Sequence, residues 1–123
     1  MPSYTANLGV LLMDPAQAQP HLPHNDALVA LDKAIAGRLA IDLTGLTTKT
    51  LTGSESTNHI LHVTATTAAC DLVVQTNTKS WIVINDGSHT VTVKRSGQSG
   101  APTVAAGAIK HLLSDGTNVR IVA

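Results

Sequence analysis

Six histidines, one cysteine and eight carboxylates are the side chains in this chain of 123 residues that could bind a metal or carry out catalysis. Two of the histidines, His59 and His62, have the HxxH spacing that many metal sites use. The residues around them predict a strand, and side chains three positions apart on a strand point to opposite faces. We therefore predict no metal site at this pair.

Cys70 is the single cysteine, which excludes an internal disulfide. A cysteine nucleophile needs a nearby base and a setting that lowers the pKa of its thiol. Asp71 follows Cys70 directly, and a neighbouring carboxylate raises the pKa of a thiol. We therefore predict that Cys70 is a buried structural residue.

The acidic and glycine-rich segments also lack the spacing of catalytic motifs. Asp86 and Asp115 each precede a glycine, where an aspartate side chain stabilises a turn. Residues 97–100 (GQSG) lack the following lysine of a phosphate-binding loop, and Ser54 lacks the two glycines of a nucleophile elbow. We therefore predict a protein that is not an enzyme and that binds no cofactor.

The charge balance bears on the partners of the chain. Eight Lys and Arg residues balance eight Asp and Glu residues, for a formal net charge of zero. Proteins that neutralise phosphates carry a basic excess, so nucleic acid and an anionic membrane surface are not expected as main partners. There is no stretch of transmembrane length and no leader pattern, so we expect synthesis and assembly in a cytoplasm.

The apolar residues predict self-association. The chain has no Phe, one Trp and one Tyr, although 43% of its residues are hydrophobic. Aromatic side chains bury the most area, so an aliphatic core in a domain of this size is thin. Small domains supplement thin cores with disulfides, metals or oligomerisation. Because a disulfide is excluded, we predict a homo-oligomer.

Residues 1–23 predict an extended docking arm. They contain four of the five prolines, which block a long helix or a central strand. Such a segment can lie on a neighbouring molecule or against its own domain, and the thin core favours a neighbour. The apolar residues of the arm that we expect to dock are Leu8, Val10, Leu11, Leu12 and Met13.

Residues 24–37 predict a short helix, which His24 or Asn25 would cap and Gly37 would end. About three turns are too short to be stable alone, so the apolar stripe of the helix must pack on something. We assign this stripe to the docking surface. It consists of Leu28, Leu31 and Ile35, at positions i, i+3 and i+7.

Residues 38–123 predict a β-rich oligomerisation domain, built as a small antiparallel sandwich or barrel. Residues 85–88 (NDGS) and 114–118 (SDGTN) are typical hairpin turns, and residues 96–100 predict a flexible loop. Residues 81–84 (WIVI) are apolar on both faces, which indicates a central strand covered on both sides. The expected strands are 39–43, 59–66, 71–75, 81–84, 89–95, 109–113 and 119–122.

Alternation within these strands predicts which side chains form the core. In residues 59–66, the face with Leu61, Val63 and Ala65 is the apolar one, and in residues 89–95 Val91 and Val93 face inward. The predicted β core consists of Leu61, Val63, Val73, Trp81, Val83, Val91, Val93 and Ile121.

Two segments resemble known phage proteins. The first third contains residues 5–12 (TANLGVLL), 15–19 (PAQAQ), 24–28 (HNDAL) and the pair Leu31-Asp32, in that order. This order resembles the opening of an uncharacterised family associated with phages and gene-transfer agents. Asp26 stands where the family usually has Glu, and Pro20 stands where it usually has Lys.

The C-terminal part is similar to β modules of phage tail fibres and tail spikes. The similarity comprises residues 84–86 (IND), 90–94 (TVTVK), 97–100 (GQSG), 104–107 (VAAG) and 115–119 (DGTNV), with Ala105 in place of the usual Pro. Together the two resemblances imply a structural protein on the exterior of a virion, often trimeric, which binds itself and neighbouring virion proteins.

Two positions on a particle fit these expectations. The resemblance favours a component of a tail fibre, spike or tail tip, whereas the short length favours a capsid decoration (cement) protein. A rival of another class is a carbohydrate-binding module, although a shortage of aromatic residues argues against it.

Overall fold

The computed structural model of the chain describes residues 4–12, 21–75 and 78–123. These residues form two helices, α1 (His21–Ala36) and α2 (Gly53–Thr57). The strands, in chain order, are β1 (Arg38–Leu43), β2 (Thr48–Thr50), β3 (Ile60–Thr66), β4 (Cys70–Val73), β5 (Lys79–Asn85), β6 (Val91–Lys94), β7 (Thr103–Val104), β8 (Ile109–Ser114) and β9 (Val119–Ile121).

The strands alternate between two sheets as the chain advances. One sheet has the order β1-β3-β5-β8-β9, and the other has the order β2-β4-β6-β7. Ile60 pairs with Arg38 and with Ile82, which lie 22 residues away in the two directions. Each pair of successive strands, β1 with β2, β3 with β4 and β5 with β6, therefore forms one coil of a short β-solenoid.

The prediction of a mainly β chain with one short helix before the sheets is confirmed, whereas the antiparallel sandwich or barrel is wrong. The pairs that join the coils, β1 with β3 and β5, and β2 with β4 and β6, are parallel. Among the nine strands of the described residues, antiparallel pairing occurs only where β7, β8 and β9 close the stack. The 22-residue repeat was not recognised in the sequence because the three coils share apolar positions but few identical residues.

The turn at residues 85–88 explains the wrong topology. It leads from β5 into the other sheet instead of back along β5, so it is a corner and not a hairpin. The side chain of the buried Asn85 donates through Nδ2 to the backbone carbonyls of His89 (2.8 Å) and Val104 (2.9 Å). Thr66 Oγ1 accepts from the amides of Ser88 (3.1 Å) and His89 (3.0 Å), which fixes the corner on the coil below.

Other turns were predicted with mixed success. The predicted hairpin at residues 114–118 is confirmed, because Ser114 pairs with Val119. Residues 96–100 are not a simple flexible loop, since Gln98 is only 8% exposed. Its side chain accepts from the Val119 amide and donates to the Val119 carbonyl, both at 2.9 Å, and so attaches the loop to β9.

The core lies between the two sheets. Six of the residues assigned to it from the sequence are at most 1% exposed, namely Leu61, Val63, Trp81, Val83, Val91 and Val93. Val73 does not belong to the core, because the alternation in β4 turns Leu72 and Val74 inward instead. Ile121 is also misassigned: it lies on the edge strand β9 and is 52% exposed.

A register shift changes the inward face of β3. Ile41 of β1 pairs with Val63 of β3, but the next residue, Asp42, pairs with Ala65, so Thr64 of β3 is left without a partner on β1. Beyond this bulge Thr66 faces the core in place of Ala65. Sequence alternation alone predicts an unbroken period of two, which a bulge violates.

Residues 81–84 are covered on one face and not on both. Trp81 and Val83 lie in the core, with at most 1% exposure. Ile82 and Ile84 lie on the opposite face of the sheet and are half-buried. The expected second layer over β5 is therefore missing from the described part of the chain.

The boundaries of the helices also differ from those predicted. α1 begins at His21, so His24 and Asn25 lie inside the helix and do not cap it. Gly37 follows α1 as expected, and a Cβ there would collide with the Lys33 carbonyl. The sequence analysis did not predict the short helix α2, although Thr52 and Glu55 have the spacing of a capping box, which is typical of a helix N-terminus.

Candidate functional site

The described part of the predicted arm folds back on itself and packs against α1. Tyr4 forms an antiparallel bridge with Leu11, and the Thr5 amide donates to the Val10 carbonyl at 2.9 Å. These residues are therefore a closed loop and not an extended strand. We call residues 4–12 together with α1 the N-terminal unit, and the β-solenoid with its closing strands the body.

Asp32 of α1 holds the loop. Its carboxylate accepts hydrogen bonds from Thr5 Oγ1 (2.7 Å), the Asn7 amide (3.0 Å), Asn7 Nδ2 (2.7 Å) and the Leu8 amide (2.7 Å). Asp32 is only 3% exposed. Burial by itself raises the pKa of the Asp32 carboxyl, but the hydrogen bonds from Thr5, Leu8 and Asn7 outweigh it and lower that pKa.

The N-terminal unit presents most of its large apolar side chains to solvent. Of the eleven large hydrophobic residues that are exposed in the described part of the chain, seven belong to this unit. They are Tyr4 (59%), Leu8 (47%), Val10 (39%), Leu11 (59%), Val29 (40%), Leu31 (58%) and Ile35 (61%).

The structure brings most of the predicted docking residues together on this unit. Leu8, Val10 and Leu11 are exposed on the loop, and Leu31 and Ile35 are exposed on α1. Leu12 and Leu28 are half-buried, and Met13 lies outside the described residues. The sequence predicts that the stripe of α1 packs on another surface. Among the described residues no such surface covers it, since Leu31 and Ile35 each stay more than half exposed.

Polar contacts through Lys33 attach the N-terminal unit to the body. Lys33 Nζ donates to the Ser54 carbonyl (3.0 Å) and to Ser54 Oγ (2.8 Å) at the start of α2. The His59 amide donates to the Lys33 carbonyl at 3.1 Å. These contacts orient α1 on the body, and relative to the described residues Leu31 and Ile35 stay more than half exposed.

The residues considered for chemistry have structural contacts instead. Cys70 is 2% exposed, and its thiol donates to the Leu46 carbonyl at 2.7 Å. The predicted burial of Cys70 is therefore confirmed. Burial, and then the charge of Asp71, raise the pKa of this thiol. A thiol of this kind is a poor nucleophile at neutral pH.

The two histidines with HxxH spacing separate, as expected for a strand. Arg38 donates to Nδ1 of His62 through its Nε (2.9 Å) and also through Nη2, while His62 Nε2 contacts Asp86 Oδ2 at 2.5 Å. His59 instead lies edge-on to His111, with 6.5 Å between the ring centres. Among the described residues, no group of three potential metal ligands forms.

One small cleft opens beside β5 and α2. It has a volume of about 230 Å³ including its open mouth, and Ser56, Gln75, Lys79 and Trp81 contribute to its lining. Lys79 Nζ lies 5.9 Å from the Trp81 ring centre, and burial lowers the pKa of this ammonium group. Sequence analysis overlooked Lys79, because no motif surrounds it.

The Trp81 indole cannot act as a stacking surface in this cleft. It is 1% exposed, and its Nε1 donates to the Ser56 carbonyl at 2.8 Å. The cleft therefore offers hydroxyl, amide and ammonium groups but no exposed aromatic face on which a sugar ring could stack.

Neither helix within the described residues has both the length and the apolar character that a membrane span requires. Comparison of the chain with protein-family models, with curated proteins and with solved structures gave no match.

Proposed function

We propose that this protein is a structural component of a tailed phage or phage-like particle. It attaches to a neighbouring virion protein through the N-terminal unit and assembles with further copies of itself, most simply as a trimer. The attachment supplies no catalysis and requires no cofactor.

The distribution of exposed apolar side chains carries this proposal. Leu31 and Ile35 are about 60% exposed on one side of α1, while residues of the body core such as Leu61 and Val83 are fully buried. Apolar groups that remain in water on one unit gain roughly 25 cal/mol for each Å² that a partner covers. Concentrated exposure of this kind is typical of interaction surfaces.

The contacts of Asp32 support docking by a preformed surface. Its four hydrogen bonds fix the loop on α1, so Leu8 and Leu11 have a defined position relative to the helix. A surface that is ordered before binding avoids the entropy cost of ordering it on contact. An amphipathic helix with an apolar groove as its partner is a common arrangement of this kind.

The position on the particle stays open between two alternatives. As a tail fibre, spike or tail-tip component, the protein would occur in a handful of copies per particle. As a capsid decoration protein, it would occur in numbers that match the capsomers. Quantitative mass spectrometry of purified particles distinguishes them by copy number.

Replacement of the exposed stripe of α1 tests the attachment. The double variant Leu31→Glu, Ile35→Glu places two charges on the stripe without touching the core. We expect this variant to fold like the wild type but to lose binding to particles that lack the protein, measured by co-sedimentation. Ile121→Glu, which alters an equally exposed residue of the body, is the matched control. Equal binding by the wild type and the double variant would contradict the proposal.

The carbohydrate-binding alternative makes a different prediction. It requires saturable binding of a glycan by the isolated protein, which a glycan array and calorimetry would detect. The burial of Trp81 argues against it, because sugar-binding sites tend to use exposed aromatic rings.

A further inference from the structure

The small cleft beside β5 and α2 contains a lysine at a position that the sheet turns toward the core. Lys79 is the first residue of β5, and strand alternation places its side chain on the same face as Trp81 and Val83, which are at most 1% exposed. Its partner on β8, Ser114, is also buried. The ammonium group of Lys79 therefore lies at the edge of the core, beside the Trp81 ring.

No described carboxylate balances the charge of Lys79. None of the ion pairs among the described residues includes it, and its Nζ donates to the neutral carbonyl of Ser80 at 3.3 Å. Glu55, on α2, instead accepts from the Thr52 amide at 3.0 Å. Burial lowers the pKa of the Lys79 ammonium group. A partly buried charge is costly unless it is paired, so the site favours an anion supplied by another molecule.

Two neighbouring side chains of the cleft also have hydrogens left to donate. Ser56 Oγ accepts from the Gln75 amide at 3.4 Å, so its hydroxyl hydrogen has no acceptor among the described residues. Gln75 Nε2 carries two hydrogens and donates to one carbonyl, that of Leu51, at 2.8 Å. Lys79 carries three and likewise donates to one carbonyl. One cation and two neutral donors around one cleft suit an oxyanion.

The size and the charge of the cleft narrow the class of anion. Its volume of about 230 Å³, open mouth included, is below the roughly 300–1,000 Å³ of pockets for drug-sized ligands. A group of a few non-hydrogen atoms fits, since one water molecule takes about 30 Å³. Lys79 supplies one positive charge, which one carboxylate neutralises, whereas sulfate would leave an excess negative charge in a partly buried site. A carboxylate also has two oxygens that can accept from different donors.

We infer that this cleft binds a small carboxylate, with Lys79 as its ionic contact and with Ser56 and Gln75 as hydrogen-bond donors to its oxygens. The site belongs to the body and uses none of the exposed apolar residues of the N-terminal unit, so the inference does not depend on the proposed attachment. The carboxylate can belong to a small free acid or to the end of a neighbouring protein chain, since both present the same group.

The indole of Trp81 provides the readout. Trp81 is the only tryptophan of the chain, and its Nε1 donates to the Ser56 carbonyl at 2.8 Å, so a single indole N–H signal in an NMR spectrum reports on the cleft. Sodium acetate replaces sodium chloride at constant ionic strength in a titration of the full chain. We expect a saturable shift of this signal, with a dissociation constant in the millimolar range for so small a ligand. A shift that stays linear to about 100 mM overturns the inference.

Substitution of Lys79 tests the ionic contact. Lys79→Met removes the charge and should weaken acetate binding about tenfold or more. Lys110→Met is the matched control, because Lys110 is also half-buried but does not line the cleft, and it should bind acetate like the wild type. Ser56→Ala removes one donor and should weaken binding about threefold. Urea unfolding curves show whether each variant is folded. Unchanged affinity in Lys79→Met, or an equal loss in Lys110→Met, overturns the inference.

A comparison of ligands tests the wild type without any substitution. N-acetylglycine and N-acetylglycinamide differ in that a carboxylate is replaced by a neutral amide, so the acid should bind and the amide should not. Equal binding of the two overturns the ionic role of the cleft. Sulfate should bind at least about tenfold more weakly than acetate, and equal or tighter binding by sulfate overturns the assignment to carboxylates.

The same titrations distinguish the two sources of the carboxylate. N-acetylglycine, which resembles the end of a protein chain, binds more tightly than acetate if the cleft receives a chain terminus. It binds more weakly than acetate if the cleft receives a small free acid. Either order supports a carboxylate site, whereas failure of both acids to bind overturns it.

Discussion

The body and the N-terminal unit are stabilised in opposite ways. In the body, apolar side chains from both sheets are buried between the coils, and core residues such as Leu61 and Val93 have no exposed surface. In the N-terminal unit, the most buried described residue is Asp32, a carboxylate, while Leu31 and Ile35 face solvent. One unit is organised by its apolar core and the other by hydrogen bonds to a single charge.

The difference indicates a division of roles. A unit that buries its apolar residues is complete as a fold, whereas a unit that exposes them has surface left for a partner. Under the proposed function, the body sets the architecture and the N-terminal unit binds the partner. Substitutions in the two units should accordingly affect different properties, and the following predictions test that separation.

The largest effect is expected from Asn85→Asp in the body. Asn85 has no exposed surface, and its amide nitrogen donates to two carbonyls. An aspartate would place a charged acceptor against those carbonyls, at an expected cost of about 3–5 kcal/mol in the free energy of unfolding at pH 7. Urea denaturation measures this cost. Asn118→Asp is the control, because Asn118 Oδ1 already accepts from Arg95 Nε at 3.2 Å. Equal midpoints for the two variants would refute the role of Asn85.

Truncation of one leucine in each unit sharpens the comparison. Leu61→Ala should destabilise the protein by about 2–5 kcal/mol, because it leaves a cavity between the sheets. Leu31→Ala, at a site that is 58% exposed, should change stability by no more than about 0.5 kcal/mol. Co-sedimentation should show the reverse order, with particle binding reduced for Leu31→Ala. A large loss of stability for Leu31→Ala would mean that α1 belongs to the body.

A smaller effect on stability is expected where two coils meet at a corner. A Cβ at Gly87 would lie 2.6 Å from Thr66 Oγ1 and 2.7 Å from Thr66 Cγ2. Gly87→Ala should therefore destabilise the body by about 1–3 kcal/mol. Gly53→Ala is the control, since a Cβ at Gly53 meets no atom within 4 Å. If thermal unfolding shows the same midpoint for both variants, the corner is not closely packed against Thr66.

The smallest effect on global stability is expected from Asp32, although its local effect should be clear. The pKa of Asp32 is lowered from its ordinary value of 3.8 in the folded chain. The contacts of its carboxylate therefore contribute fully above this value and are lost as the pH falls through the lowered pKa. We expect the loop to open in acid while the body stays folded, observed as reduced hydrogen-exchange protection of the Asn7 and Leu8 amides relative to their intrinsic rates at that pH.

Asp32→Asn should produce the same opening at neutral pH, because an amide has one acceptor oxygen where the carboxylate has two. Asp26→Asn, a substitution of an exposed residue on the same helix, should leave the exchange of the loop unchanged. Exchange rates that are the same for wild type and Asp32→Asn would show that something other than Asp32 holds the loop.

The sequence predicted those parts of the fold that depend on local patterns. The strand alternation placed Val91 and Val93 in the core, and the turn residues around Asp115 predicted the hairpin between β8 and β9. Parallel stacking was missed because residues 85–88 have the composition of a hairpin turn. What makes them a corner is the set of contacts with Thr66 and Val104, which lie far away in the sequence.

The candidate site was also predicted only where it depends on local sequence patterns. The apolar spacing of Leu31 and Ile35 was visible, and so was their need for a covering surface. The role of Asp32 in holding the loop could not be predicted, because its partners Thr5, Asn7 and Leu8 are 24 to 27 residues away in the sequence.

The mass of a chain that lacks residues 1–36, and so lacks the whole N-terminal unit, measured by light scattering beside that of the full chain, tests the division of roles most directly. If the body alone carries self-association, both chains form oligomers of the same number of copies at equal concentration, and only the full chain binds particles. A truncated chain that is monomeric where the full chain is oligomeric would contradict this account, because self-association would then depend on the N-terminal unit.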